Sequence, residues 1–204
     1  MDRIFQDTAF ALATISRSFY ARGWALGTSG NFSAVVSREP LRLAITPSGA
    51  DKGELDPEQI LEIGRDPTAT DGQEGKASAE ALLHIEVIIQ RAAGAVLHTH
   101  SVWSTILSTM YANAGGVMIE GFEMLKGLQG IMSHEHREWL PIIQNSQDMP
   151  ALAETVSEVL AAHPAAHGFL LKQHGLYTWG ANLSEAKRHI EIFKFLLESI
   201  GRLQ

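Results

Sequence analysis

Two hydrophobic periods alternate along the chain. Over residues 3–22 apolar side chains recur at Phe5, Ala9, Leu12, Ile15, Phe19 and Ala21, the spacing of a helix with one buried face. Gly27-Thr28-Ser29-Gly30-Asn31-Phe32-Ser33 is dense in turn formers. Two short strands are expected next, at 33–37 and 41–45, joined by a polar turn containing Pro40. Thr46-Pro47-Ser48-Gly49-Ala50 ends the second in a tight turn. Residues 51–63 read as a short polar helix starting near Asp56-Pro57-Glu58, and 64–75 as a surface loop. A strong helix follows at 78–92, with Leu82, Leu83, Val87 and Ile88 on its apolar face and Ser78 and Glu80 at its start. The rest alternates: strand 95–98, helix 101–112 capped by Ser101, strand 117–122, strand 140–143, helix 149–163 entered around Pro150, strand 168–171, strand 177–179. A long helix at 184–203 closes the pattern, with Ser184 as cap and Leu183 as staple.

Strands and helices interleave, with no repeat, low-complexity segment or linker to divide residues 1–204. One α/β domain is expected. Its strands are short and several read as hairpin-connected, so the sheet should be mixed and largely antiparallel, with helices on both faces.

Composition narrows the function. The chain has 204 residues, 45% apolar and 19% charged, ordinary values for a globular protein with a sizeable core. No apolar run is long enough to span a membrane, and the start, MDRIFQDTAFALA, has no basic segment followed by an apolar core, so no signal peptide is expected. There is no cysteine. Disulfides and thiolate ligands are therefore excluded, and a reducing cytoplasm fits. The net charge of −7 argues against nucleic-acid or anionic-membrane partners. A phosphorylated small molecule, bound by local donors, is compatible with it.

Any metal must then be held by His, Asp or Glu. His98-Thr99-His100 follows the small apolar run Ala95-Val96-Leu97. Residues two apart on a strand point to the same side, so both imidazoles project from one strand end and can share an ion. A hydrogen-bonded pair at a strand–helix junction reads equally well from this spacing, since zinc wants three or four ligands. The apolar run 168–171 delivers His174 at a glycine in the same way, and a third imidazole would complete a site with one open position. His134-Glu135-His136 has the same spacing but lies in polar sequence with no strand to bury it. His84, His163, His167 and His189 read as ordinary packed or surface residues.

Glu80 at a helix start and Glu123 after an apolar strand are the carboxylates best placed for catalysis, although most glutamates are solvated. Ser29-Gly30-Asn31, Ser48-Gly49 and Ala77-Ser78 are hydroxyl-rich turns whose backbone N–H groups can meet a phosphate. None is a dinucleotide or Walker fingerprint.

Taken in order, Ser-Gly-Asn-Phe-Ser at 29–33, Thr-Pro-Ser-Gly at 46–49, Ser-Ala-Glu at 78–80, His-Thr-His-Ser at 98–101 and Lys-Gln-His-Gly at 172–175 resemble the class II aldolase/adducin family across nearly the whole chain. The stretches Gly121–Leu128 and His174–Gly180 are similar to its dehydratase branch. The resemblance implies a three-layer α/β/α zinc enzyme, a homotetramer with active sites near subunit boundaries, and a phosphorylated ketose substrate. It places one Zn2+ per subunit on His98, His100 and His174. Substrate phosphate would fall on Ser29, Gly30, Asn31, Ser48, Gly49 and Ser78, and acid/base work on Glu123, with Glu80 as its competitor. The implied activity is loss of water from a C5-methylthio pentulose phosphate in methionine salvage. The family also offers aldol cleavage of the fuculose- or rhamnulose-phosphate type, pentulose-phosphate epimerisation and, with the metal lost, adducin-like interaction domains. Phe122, Trp103 and Met124 are candidates to meet the methylthio group, and each is equally a candidate for the core.

Overall fold

The computed structural model describes residues 2–68 and 73–204. Helices are α1 (Arg3–Ala21), α2 (Ala81–Arg91), α3 (Val102–Met110), α4 (Met149–Ala162) and α5 (Leu183–Arg202). Strands are β1 (Asn31–Arg38), β2 (Leu41–Ile45), β3 (Leu61–Ile63), β4 (Ala95–Thr99), β5 (Gly116–Glu120), β6 (Arg137–Ile143), β7 (Gly168–Leu171) and β8 (Gly175–Gly180). They make one sheet in the order β3-β2-β1-β4-β8-β7-β6-β5. Among the described residues β6 and β7 pair in parallel, and the other neighbours pair antiparallel. The exception follows from connectivity, because parallel neighbours need a long crossover and α4 supplies it between β6 and β7.

Side-chain alternation along the strands builds a core on each face. Ala95 and Leu97 of β4 pack with Leu12 and Phe19 of α1, Leu107 of α3 and Phe193 and Leu197 of α5. Val96 turns the other way, to Leu83 and Val87 of α2 and Val156 and Leu160 of α4. The expected mixed, largely antiparallel sheet between two helical layers is what forms. β4 is buried along its whole length because it lies mid-sheet with helices on both faces. No helix among the described residues is long and apolar enough to cross a membrane.

Two local expectations are corrected. Residues 51–63 hold no polar α-helix. A three-residue 3-10 turn, Pro57–Gln59, leads into the edge strand β3. Leu61 and Ile63 alternate inward onto the core, and that period of two overrides the helix-start signal at Asp56-Pro57. The cap of α5 is Asn182, whose side chain accepts from the Glu185 amide. Ser184 falls inside the helix. At α3, Ser101 caps as expected, accepting from the Ser104 amide. The expected loop at 64–75 lies partly outside the described residues.

Candidate metal centre and its two cavities

The C-terminal end of β4 is the focus of the molecule. Asn31 of β1 lies opposite His98 on one side, and Tyr177 of β8 lies opposite it on the other. The fully buried His98 ring stacks on Tyr177 with centroids 3.9 Å apart and planes 15° from parallel. His100 follows one residue past the strand, its amide donating to the Trp24 carbonyl at 2.9 Å. His174 arrives from the three-residue loop between β7 and β8, where Gln173 adopts φ 56°. Gly175 next to it is required by space: a Cβ there would stand 2.5 Å from the Thr99 carbonyl oxygen and 2.6 Å from His98 Cε1.

The three rings form a near-equilateral set, with centroids 4.7, 4.9 and 4.7 Å apart. One nitrogen of each lies within 4.8 Å of the others. Nδ1 of His98 donates to the Leu176 carbonyl at 3.1 Å, which leaves its Nε2 as a bare lone pair. That lone pair faces Nε2 of His100 at 2.9 Å. Burial, then the neighbouring His100 and His174, hold His98 well below the usual imidazole range. Burial, then His174, pushes His100 down to about 4. Three imidazole nitrogens facing one point are the donor set a divalent cation needs, so these residues fit the metal that the sequence motifs imply.

Glu80 stands beside them at the start of α2. Its Oε1 is 3.3 Å from Nε2 of His174 and its Oε2 is 3.9 Å from Nε2 of His98. A buried relay holds it there. The Asn31 amide donates to Glu80 at 2.5 Å, which leaves Asn31 Oδ1 to accept from His84 Nε2, also at 2.5 Å. His84 Nδ1 then accepts from the Ser33 hydroxyl at 2.7 Å. Burial pushes His84 down to about 3, so it stays neutral with its proton on Nε2. The sequence offers His84 only as an ordinary packed or surface residue. Its partners lie 51 and 53 residues away, and no local pattern reports such a contact.

Two cavities meet at the histidines. The smaller, about 150 Å³, is lined by Ser29, Gly30, Asn31, Ser48, Gly49 and Ser78, with Glu80, His100 and His174 at its edge. All six residues expected at a phosphate are therefore together. Gly30 and Gly49 have φ of 73° and 74°, a region open to glycine without strain. Sequence reasoning missed the cationic lining residue, Lys52, which is 1% exposed. Its ammonium donates to the carbonyls of Ala50 at 2.9 Å and Thr28 at 3.4 Å, leaving a third N–H free of those bonds. Burial lowers it to about 8. A lysine three residues beyond Ser48-Gly49 was the available signal. The larger cavity, about 590 Å³, opens on the other side and shares Ser29, His100 and His174 with the first.

Glu123 is not brought to the histidines within one chain. It starts a short 3-10 helix, Glu123–Gly127, is 70% exposed, and pairs with Lys126 and, at 3.7 Å, His134. The hydrogen bond from Lys126 holds its carboxyl below the usual range. It lines neither cavity. Phe122, Met124 and Trp103 pack against the core and also line neither. His136 of the His134-Glu135-His136 decoy turns to Glu138 at 2.8 Å, and among the described residues that stretch forms no metal grouping.

Comparison with known proteins agrees with this architecture. Residues 10–200 match the family described as Class II Aldolase and Adducin N-terminal domain. Methylthioribulose-1-phosphate dehydratase of Marinobacter nauticus is 39% identical over 201 residues, covering 96% of this chain and 95% of that protein. The enzyme of the same name from Pseudomonas savastanoi is 43% identical over 184 residues, covering 89% and 88%. Among solved structures, YgbL of Escherichia coli, a putative aldolase/epimerase/decarboxylase, superposes with a TM-score of 0.80 at 25% identity, covering 99% of this chain and 92% of that one. The l-fuculose-1-phosphate aldolase of Thermus thermophilus shares the fold at TM-score 0.73 and 22% identity, covering 97% of each chain. With its fold, its histidine cluster and a family match spanning most of its length, this chain belongs to the class II aldolase and adducin N-terminal domain family.

Proposed function

We propose that the chain is a zinc-dependent hydro-lyase that converts 5-methylthioribulose 1-phosphate to 2,3-diketo-5-methylthiopentyl 1-phosphate, a cytoplasmic step of methionine salvage. The observation that carries the reading is the near-full-length identity of about 40% to dehydratases of that name. The site chemistry supports it. His98, His100 and His174 would hold Zn2+, and among the described residues Glu80 is the carboxylate beside them. When bound, the metal supplies Lewis acidity that makes the C3 proton of an adjacent 2-ketone easier to remove.

The remaining work falls to the chain. Ser29, Asn31, Ser48 and Ser78 and the turn amides receive the phosphate, and the Lys52 ammonium offsets its charge. A carboxylate takes the C3 proton, and an acid protonates the C4 hydroxyl as it leaves as water. The resulting C3–C4 enol tautomerises to the 3-ketone, so one proton and one hydroxide leave in all. We assign the acid/base role to Glu123, reaching the histidines of a neighbouring subunit in a homotetramer. Its exposure and its place outside the lining of both cavities support a role across a boundary. Glu80, held by Asn31, then orients the metal site.

Three measurements test this reading. Purified protein incubated with methylthioribulose 1-phosphate should form the diketone, and with fuculose 1-phosphate should yield no aldehyde; aldol cleavage would replace the dehydratase assignment. Glu123→Gln should keep metal and fold while losing turnover by about 10²–10⁴-fold, the span of general acid–base catalysis. An inactive Glu80→Gln beside an active Glu123→Gln would reverse the two roles. Mixing Glu123→Gln with His98→Ala subunits should restore partial activity, because some boundaries then carry both intact groups; no restoration would place both groups in one chain.

A further inference from the structure

We propose that the open cleft on the far side of the histidines receives the methylthio end of the substrate, and that Leu26, Val102 and Ile106 set specificity for it. The inference rests on the dehydratase reading above and adds the residues that read C5. Linear order in the substrate makes the argument. Phosphate sits on C1, the reacting carbons are C2 to C4, and the thioether is on C5. The hydroxyl-rich cavity of about 150 Å³ and the cleft of about 590 Å³ share Ser29, His100 and His174, so the histidines stand at their junction. A ketose anchored by phosphate in the first and reacting at the histidines has the second beside it for C5.

The lining suits a thioether. Val102 and Ile106 are four residues apart on α3 and so occupy one helix face, and Leu26 reaches the same cleft from the segment between α1 and β1. They are 69%, 38% and 55% exposed. Apolar side chains left open beside a reactive centre are a binding surface in search of an apolar occupant. A methylthio group is soft, apolar and undemanding of hydrogen bonds. Polar residues, Ser101, Thr105 and Gln173 among them, also line the cleft, so selectivity for the thioether falls to the apolar area that Leu26, Val102 and Ile106 offer it.

The test compares two substrates that share every group from C1 to C4. Methylthioribulose 1-phosphate carries the thioether, and 5-deoxyribulose 1-phosphate ends in a bare C5 methyl. The wild type should favour the first in kcat/KM. In Ile106→Asn and Val102→Asn that preference should shrink roughly tenfold or more, the effect of one or two apolar groups in a pocket. The loss should lie mainly in KM for the methylthio substrate and be smaller for 5-deoxyribulose 1-phosphate, whose C5 methyl meets less of the cleft. Equal losses on both substrates, an unchanged preference, or a change in sedimentation showing that the variants disturb subunit association would each overturn the assignment. A wild type inactive on both substrates would instead overturn the dehydratase reading itself.

Discussion

Replacing His174 with alanine should remove the bound metal and abolish turnover while leaving the fold in place. The three imidazoles are the only metal-capable group among the described residues, and two nitrogens without the third make a weak site. His174 sits in a hairpin loop with 19% of its side chain exposed, so its loss leaves little cavity. His98→Ala should lose metal and turnover equally but also melt earlier. That ring is fully buried between strands and stacked on Tyr177, and emptying such a site removes packing worth about 2–5 kcal/mol. Metal analysis by mass spectrometry, the thermal midpoint and diketone formation separate the two effects. Stoichiometric metal in an active His174→Ala enzyme would end the three-histidine account.

A second large effect is expected far from the histidines. Glu138 on β6 is 1% exposed. Its carboxylate accepts from His136 at 2.8 Å, from the His167 ring at 3.0 Å and from the His167 amide at 3.0 Å. His167 also donates its Nε2 proton to the Gln129 carbonyl at 2.8 Å, so both ring nitrogens donate and the ring is an imidazolium. The Gln129 amide in turn donates to His189, whose other nitrogen donates to Trp179. One buried carboxylate thus ties β6 to the start of β7, and through Gln129 to α5. Glu138→Ala strands a buried cation and several donors, and should destabilise by about 3–5 kcal/mol, a fall in the thermal midpoint of roughly 6–20 °C for a chain of this size.

The pH dependence has a defined sign. Burial opposes charge at Glu138, but the bonds from His167 and His136 outweigh it and hold the carboxyl below its ordinary 4.5. This stabilisation is present above that value and fades as pH falls through the lowered one. Burial likewise opposes charge at His167, and Glu138 outweighs it and raises the imidazole above 6.5. That contribution is complete below 6.5 and lost as pH rises through the raised value. The pair therefore helps most between about pH 4.5 and 6.5, the ordinary values of the two groups. Unfolding curves across pH should show the gap between wild type and Glu138→Ala widest there; a gap constant with pH would deny the ion pair its role.

Much of the layout was legible because it depends on local period. The small apolar run Ala95-Val96-Leu97 marked β4, and strand parity put His98 and His100 on one side of it. The apolar run before His174 marked β7 and its delivery of that histidine at a glycine; the close approach of Gly175 to β4 was not visible. The hydroxyl turns were visible as turns. Residues 51–63 misled because Asp56-Pro57 is a sound helix start and the pairing of Leu61 and Ile63 with β2 is a contact made at a distance.

By itself, then, the sequence determined the order and type of the elements outside residues 51–63, the absence of thiol chemistry, and which histidines stand at strand ends. Those properties follow from backbone period and side-chain chemistry, which act over a few residues. Only the tertiary structure decided which groups share a site. Antiparallel pairing of β4 with β1 and β8 brings Asn31, His98 and Tyr177 side by side, places the Ser33–His84–Asn31 relay behind Glu80, and buries Lys52 under the turn cavity. It also leaves Glu123 on the surface, away from the histidines of its own chain. Such contacts join residues tens of positions apart, and it is the packing of the sheet between its helical layers that selects them.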